Sequence, residues 1–136
     1  MRHPKIKPSE LEKMLGEASW LLSHAQALAD YGRQEEAAAE IARAANCEEQ
    51  AAYRLDAIGR EQEAVIHRVS AASCYEQLGQ YARAVTLLRA ALSRTHSDDY
   101  RGQIERQLDH CLNKVRKPLR RASSQTAAQA HRIAAS

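Results

Sequence analysis

Phenylalanine is absent from this chain, and tryptophan occurs once among its 136 residues. A sheet core of that size draws on aromatic and β-branched side chains, which suit a pleated surface and are scarce here. Glycine and proline are also few, with five and three residues, so little of the chain is marked as turn or loop. No run approaches the roughly 18 apolar residues of a membrane span. The three cysteines, Cys47, Cys74 and Cys111, lie far apart with no Cys-x-x-Cys spacing. Their odd number, and the lack of an apolar stretch after the basic N-terminal residues, point to free thiols in a reducing, cytoplasmic setting.

What remains is Ala, Leu, Glu, Gln and Arg, all good helix formers. The length suits one domain with one continuous core. Net charge is +3 but unevenly spread. Arg2, Lys5 and Lys7 make residues 1–8 a basic leader. Lys114, Arg116, Lys117, Arg120, Arg121 and Arg132 make the C-terminal stretch basic. All seventeen acids lie between these ends. The expected division is a leader over 1–8, a helical domain over 9–117 and a basic flexible tail over 118–136.

Within the middle span, apolar residues recur at steps of three and four, which predicts helices. The first runs from Ser9 to Tyr31, with Ser9 and Glu12 placed as a capping box. Its stripe includes Leu11, Met14, Leu15, Ala18, Leu22, Ala25 and Leu28, widened by Trp20 and Leu21, so Trp20 is expected in the core. The second runs from Arg33 to Ala57, and Glu48 and Glu49 interrupt its stripe, which allows a bend or break near Asn46. The third covers residues 60–78 and the fourth 81–94. The fifth begins at the acids Asp98 and Asp99 and stops at Pro118.

Three breaks share a signature. Gly32-Arg33-Gln34-Glu35-Glu36-Ala37 is followed by Gly59-Arg60-Glu61-Gln62-Glu63-Ala64 and by Gly79-Gln80-Tyr81-Ala82-Arg83-Ala84. In each, Gly closes one helix and an Ala five residues later sits inside the next. Links this short make consecutive helices antiparallel neighbours. The fold class is therefore all-α, with about five antiparallel helices; a closed helical bundle is the alternative to an open stack.

The segment from Ala71 to Val85 resembles a tetratricopeptide repeat. Ala72 stands at its small position, Tyr75 at its aromatic one, Gly79 and Tyr81 at its turn, and Ala84, Leu88 and Ala91 on its second helix. Leu21, Ala25, Leu28, Gly32, Ala37, Ile41 and Ala44 give a second, weaker match. Arg68 departs from the pattern, which favours an apolar residue there. The two units lie 47 residues apart, against the family's 34.

The resemblance implies a stack of helical hairpins whose first helices line a groove for a peptide. Carried over by position, the groove candidates are Ser19, Leu22, Gln26 and Asp30, then Ile66, Val69, Ser73, Glu76 and Gln77. The Lys and Asn residues with which chaperone-binding members clamp a carboxylate are missing there, so a partner with an amphipathic or basic segment is implied instead.

Catalytic chemistry finds no support. There is no phosphate-binding glycine loop, no His-Glu-x-x-His and no zinc-type Cys/His cluster. The histidines are scattered, the cysteines read as small buried hydrophobes, and Glu35-Glu36 and Glu48-Glu49 read as solvated faces. Tyr53, Tyr75 and Tyr81 read as packing at the hairpin junctions. Arg120-Arg121-Ala122-Ser123 resembles a site for basic-directed kinases, where a phosphate would subtract charge. The expectation is a non-enzymatic adaptor or scaffold without metal or cofactor. It binds another protein or peptide and is open to homo-oligomer formation. The alternative is a nucleic-acid-associated protein using the basic ends, with Lys114, Arg116, Lys117, Arg120 and Arg121 as its contacts.

Overall fold

The computed structural model describes the backbone of residues 8–135 and the side chains of residues 10–116. Five helices follow one another: α1 (Pro8–Asp30), α2 (Gln34–Ala57), α3 (Glu61–Gln77), α4 (Tyr81–Arg94) and α5 (Asp98–Ala135). No strand occurs among the described residues. The main contacts run between chain neighbours, so the helices form an all-α stack of antiparallel hairpins.

The three glycine junctions share one geometry. Gly32, Gly59 and Gly79 take φ values of 79°, 81° and 73°, the left-handed region that a Cβ disfavours. The amide after each glycine reaches back to a carbonyl in the last turn. Arg33 donates to Leu28 at 2.9 Å, Arg60 to Leu55 at 2.8 Å and Gln80 to Tyr75 at 2.8 Å. The glycine amides donate to Ala29, Asp56 and Glu76. This is the Schellman pattern, and it satisfies the orphan carbonyls of each helix. The same linking residue then accepts the first bond of the next helix, from Ala37, Ala64 and Ala84 in turn. Those alanines are buried, so the incoming helix sits close against the one it leaves.

The core is built on small side chains. Of the twenty-three buried apolar residues described, twelve are alanine, so close helix approach replaces bulky interdigitation. Leu21, Val65, Leu88 and Ile104 are the larger anchors of the main cluster, to which all five helices contribute.

Several expectations are corrected. Helix α1 starts at Pro8, which places Ser9 in the first turn instead of at a cap; proline is tolerated there because its missing N–H has no partner anyway. Trp20 is 59% exposed, because it lies on the side of α1 that no neighbouring helix covers. It stacks instead on His24, with ring centroids 4.8 Å apart. Tyr53 is 76% exposed and packs no junction. Helix α2 runs unbroken past Asn46, and Glu48 is buried, bonded to His67 of α3 at 2.6 Å. Helix α5 does not stop at Pro118 but continues to Ala135. A proline removes one amide donor, and the Ala, Arg and Gln that follow are strong enough helix formers to carry the backbone on. Of the leader expected over residues 1–8, residues 1–7 lie outside the described residues, as do the side chains of residues 117–136.

Arg68 explains its own departure from the repeat pattern. Its guanidinium donates to Asp56 of α2, and Arg94 of α4 donates to the same carboxylate oxygen. A cation with a nearly buried partner replaces the expected apolar contact and ties three helices together.

Candidate functional site

Helices α1, α3 and α5 point the same way, because each junction reverses the chain. Between α1 and α3 the stack leaves a cleft of about 510 Å³, floored by the start of α2. Leu22, Ala25, Gln26 and Ala29 form the α1 wall, and Gln77 and Leu78 form the other. Gln34, Ala37, Ala38 and Ile41 of α2 form the floor. The lining carries no charge and mixes apolar side chains with the amides of Gln26, Gln34 and Gln77.

The nine groove candidates divide between this cleft and its surroundings. Leu22, Gln26 and Gln77 line it. Asp30 accepts a bond from Gln26 Nε2 at 2.9 Å, so it belongs to the same rim. Ser19 is exposed on α1, and Ile66 is 51% exposed on α3. Val69 is half-buried and packs on the main core. Ser73 and Glu76 already have a partner within the chain. Gln107 of α5 donates from Nε2 to Ser73 Oγ at 3.0 Å and to Glu76 Oε2 at 2.6 Å. Helix α5 thus takes up the polar groups of the second hairpin that the resemblance leaves for a ligand. The α2 floor carried a signal, the stripe through Ala37 and Ile41, but that stripe reads equally well as core.

A second cleft, of about 480 Å³, opens where Glu49, Gln50, Tyr53 and Arg54 of α2 face Arg68 and Leu87. Beside it Arg83 lies 4.4 Å over the Tyr75 ring and 3.7 Å from Glu49. Burial first, and a hydrogen bond to Glu49 second, push the Tyr75 hydroxyl up to about 12. Charges in this cleft are already paired: Arg68 with Asp56, Arg54 with Glu10 and Glu49 with Arg83.

The cysteines offer no activated nucleophile. Burial pushes the Cys74 thiol up to about 11 and the Cys111 thiol up to about 12, with Glu48 and Glu76 adding to the effect. Cys47 is raised for the same first reason. A raised thiol holds its proton at neutral pH and reacts slowly. Among the described residues no group of three or more His, Cys, Asp or Glu side chains is placed to hold a metal ion. Nor is any described helix long and apolar enough to cross a membrane.

Known proteins add no constraint. No family model, curated protein or solved structure matches the chain.

Proposed function

We propose that this chain is a non-enzymatic protein-binding module, similar to tetratricopeptide hairpin stacks, acting as an adaptor or scaffold in the cytoplasm. The observation that carries this reading is the α1–α3 cleft. One wall is α1, the other is the C-terminal end of α3 at Gln77 with its cap Leu78, the floor is the start of α2, and the lining is uncharged, mixing apolar and amide side chains. Such a surface accepts a partner helix or strand through shape and apolar contact, with amides fixing register. The thiols are free and their protons are held tightly, which suits a reducing compartment.

Affinity capture from the native host, after nuclease treatment, tests the reading. The full-length chain is compared with a Gln26→Arg/Gln77→Arg variant and with Gln50→Arg on the opposite cleft. A protein retained by the wild type and Gln50→Arg but lost from the double variant is the expected result. Equal capture by all three, or enrichment that disappears with nuclease, contradicts it.

A further inference from the structure

The two ends of the stack are finished differently. Helix α5 stands at one end, and its exposed side carries the charges of Glu105, Arg106 and Asp109. Helix α1 stands at the other, and its side away from the core carries Gly16, Ser19, Trp20, Ser23 and Ala27, all exposed and none charged. The ionisable residues within that span, Glu17 and His24, turn toward α2 and bond to Arg43 and Glu40. A helix face left to water normally carries charged residues. Trp20, the chain's one tryptophan, is 59% exposed in the middle of this face. Tryptophan is enriched where proteins meet, in the part of the contact from which charge is depleted.

The face has a register of its own. Lys13, Gly16, Trp20, Ser23, Ala27 and Asp30 recur at alternating steps of three and four, the spacing of a seam between two helices. Small residues on both sides of Trp20 let a second helix come close, and a Cβ on Gly16 would meet nothing within 4 Å. Charge sits at the two ends of the seam, Lys13 at one and Asp30 at the other. Neither has an ion-pair partner among the described residues. Asp30 accepts a bond from Gln26 Nε2 at 2.9 Å. It is also the last residue of α1, where the helix dipole disfavours an anion, and the last turn holds no basic residue to offset it.

These two charges select the occupant. A second α1 laid antiparallel on the first, about a two-fold axis midway between Leu21 and Leu22, matches the whole seam. Lys13 falls level with Asp30 of the second copy, Gly16 with its Ala27 and Trp20 with its Ser23, and the same pairs repeat in reverse. A parallel pair sets Lys13 on Lys13 and Asp30 on Asp30, which repels. We infer that the outward face of α1 is a dimer interface, closed by the antiparallel α1 of a second copy. Trp20 is buried at its centre, and a Lys13–Asp30 pair stands at each end. The cleft-lining Leu22, Ala25 and Ala29 lie on another side of α1, so this inference goes beyond the docking reading and either can fail alone.

The test uses the full-length chain, nuclease-treated and sized by light scattering and sedimentation equilibrium over a concentration series, with Trp20 emission as the local probe. Every substitution lies at an exposed position, and far-UV circular dichroism confirms that each variant folds. The wild type is a dimer, and Trp20 emission moves to shorter wavelength as it forms. Lys13→Glu and Asp30→Lys each set like charges together at both ends of the seam and raise the dissociation constant by at least about tenfold. A one-to-one mixture of the two restores the wild-type constant, because both end pairs are again of opposite sign. Ser23→Arg puts a bulky cation beside Trp20 and abolishes the dimer, whereas Gln77→Arg in the cleft leaves it unchanged. A wild type that is monomeric at every concentration, a dimer indifferent to Lys13→Glu and Asp30→Lys, or one that their mixture fails to restore overturns the inference. A dimer lost in Gln77→Arg but kept in Ser23→Arg also overturns it, by moving the contact to the cleft.

Discussion

His67 of α3 and Glu48 of α2 meet at 2.6 Å across the helix interface, with side chains only 20% and 10% exposed. Glu48 sits where the apolar stripe of α2 is interrupted, so a polar pair fills a core position. Removing one member strands the other in a poorly solvated place. Glu48→Ala and His67→Ala are each expected to cost about 2 kcal/mol in urea unfolding. The double variant should cost less than the sum of the two, as a double-mutant cycle will show.

Asp56 holds Arg68 and Arg94 on one carboxylate oxygen. Its other oxygen and Arg68 Nη1 have no protein partner. Asp56→Ala leaves the nearly buried Arg68 uncompensated and is expected to cost about 3 kcal/mol. Arg94 is 41% exposed, so Arg94→Ala should cost less than about 1 kcal/mol after solvent screening. Equal losses would remove the claim that Asp56 is the centre of the network.

Two glycines should respond in opposite directions. Gly16 lies within α1 and Gly32 in a left-handed turn, and a Cβ meets nothing within 4 Å at either. Space is therefore not at issue, and backbone conformation decides. Gly16→Ala is expected to stabilise by up to about 1 kcal/mol. Gly32→Ala is expected to destabilise by about 1 kcal/mol. Thermal melts of the two variants give the signs directly.

These turns were legible in the sequence because their causes are local. A glycine after an apolar residue, with an alanine five positions on, specifies the cap and the close approach without reference to the rest of the chain. Trp20 and Tyr53 were not legible in this way. Their exposure depends on which side of a helix lacks a neighbour, and periodicity does not record that. Glu48 looked like a surface acid because its partner, His67, lies nineteen residues away on another helix. For the cleft, position along the repeat pattern located Leu22, Gln26 and Gln77. It could not show that Gln107 would occupy Ser73 and Glu76, since α5 stands outside the two matched hairpins.

The buried thiols predict an alkaline limit to stability. Cys74 and Cys111 are raised from an ordinary value of 9.0 to about 11 and about 12, and Tyr75 from 10.0 to about 12. A raised value means that the unfolded chain loses these protons first. Their contribution is complete below pH 9 and is lost as pH rises from there toward 12. Denaturant midpoints should fall over that window, and Cys74→Ala/Cys111→Ala should flatten the fall. At pH 8 the native thiols should alkylate with Cys47 ahead of Cys74 and Cys111, and all three should react at similar rates once unfolded.

The most direct test of the cleft is site-specific photo-crosslinking of the full-length chain in its native host. The probe replaces Gln26 or Gln77 in the cleft, or the exposed Arg89 on α4 as a control. The docking account predicts covalent adducts to a protein from positions 26 and 77 and little from 89. Equal yields at all three positions, or adducts confined to nucleic acid, would contradict it.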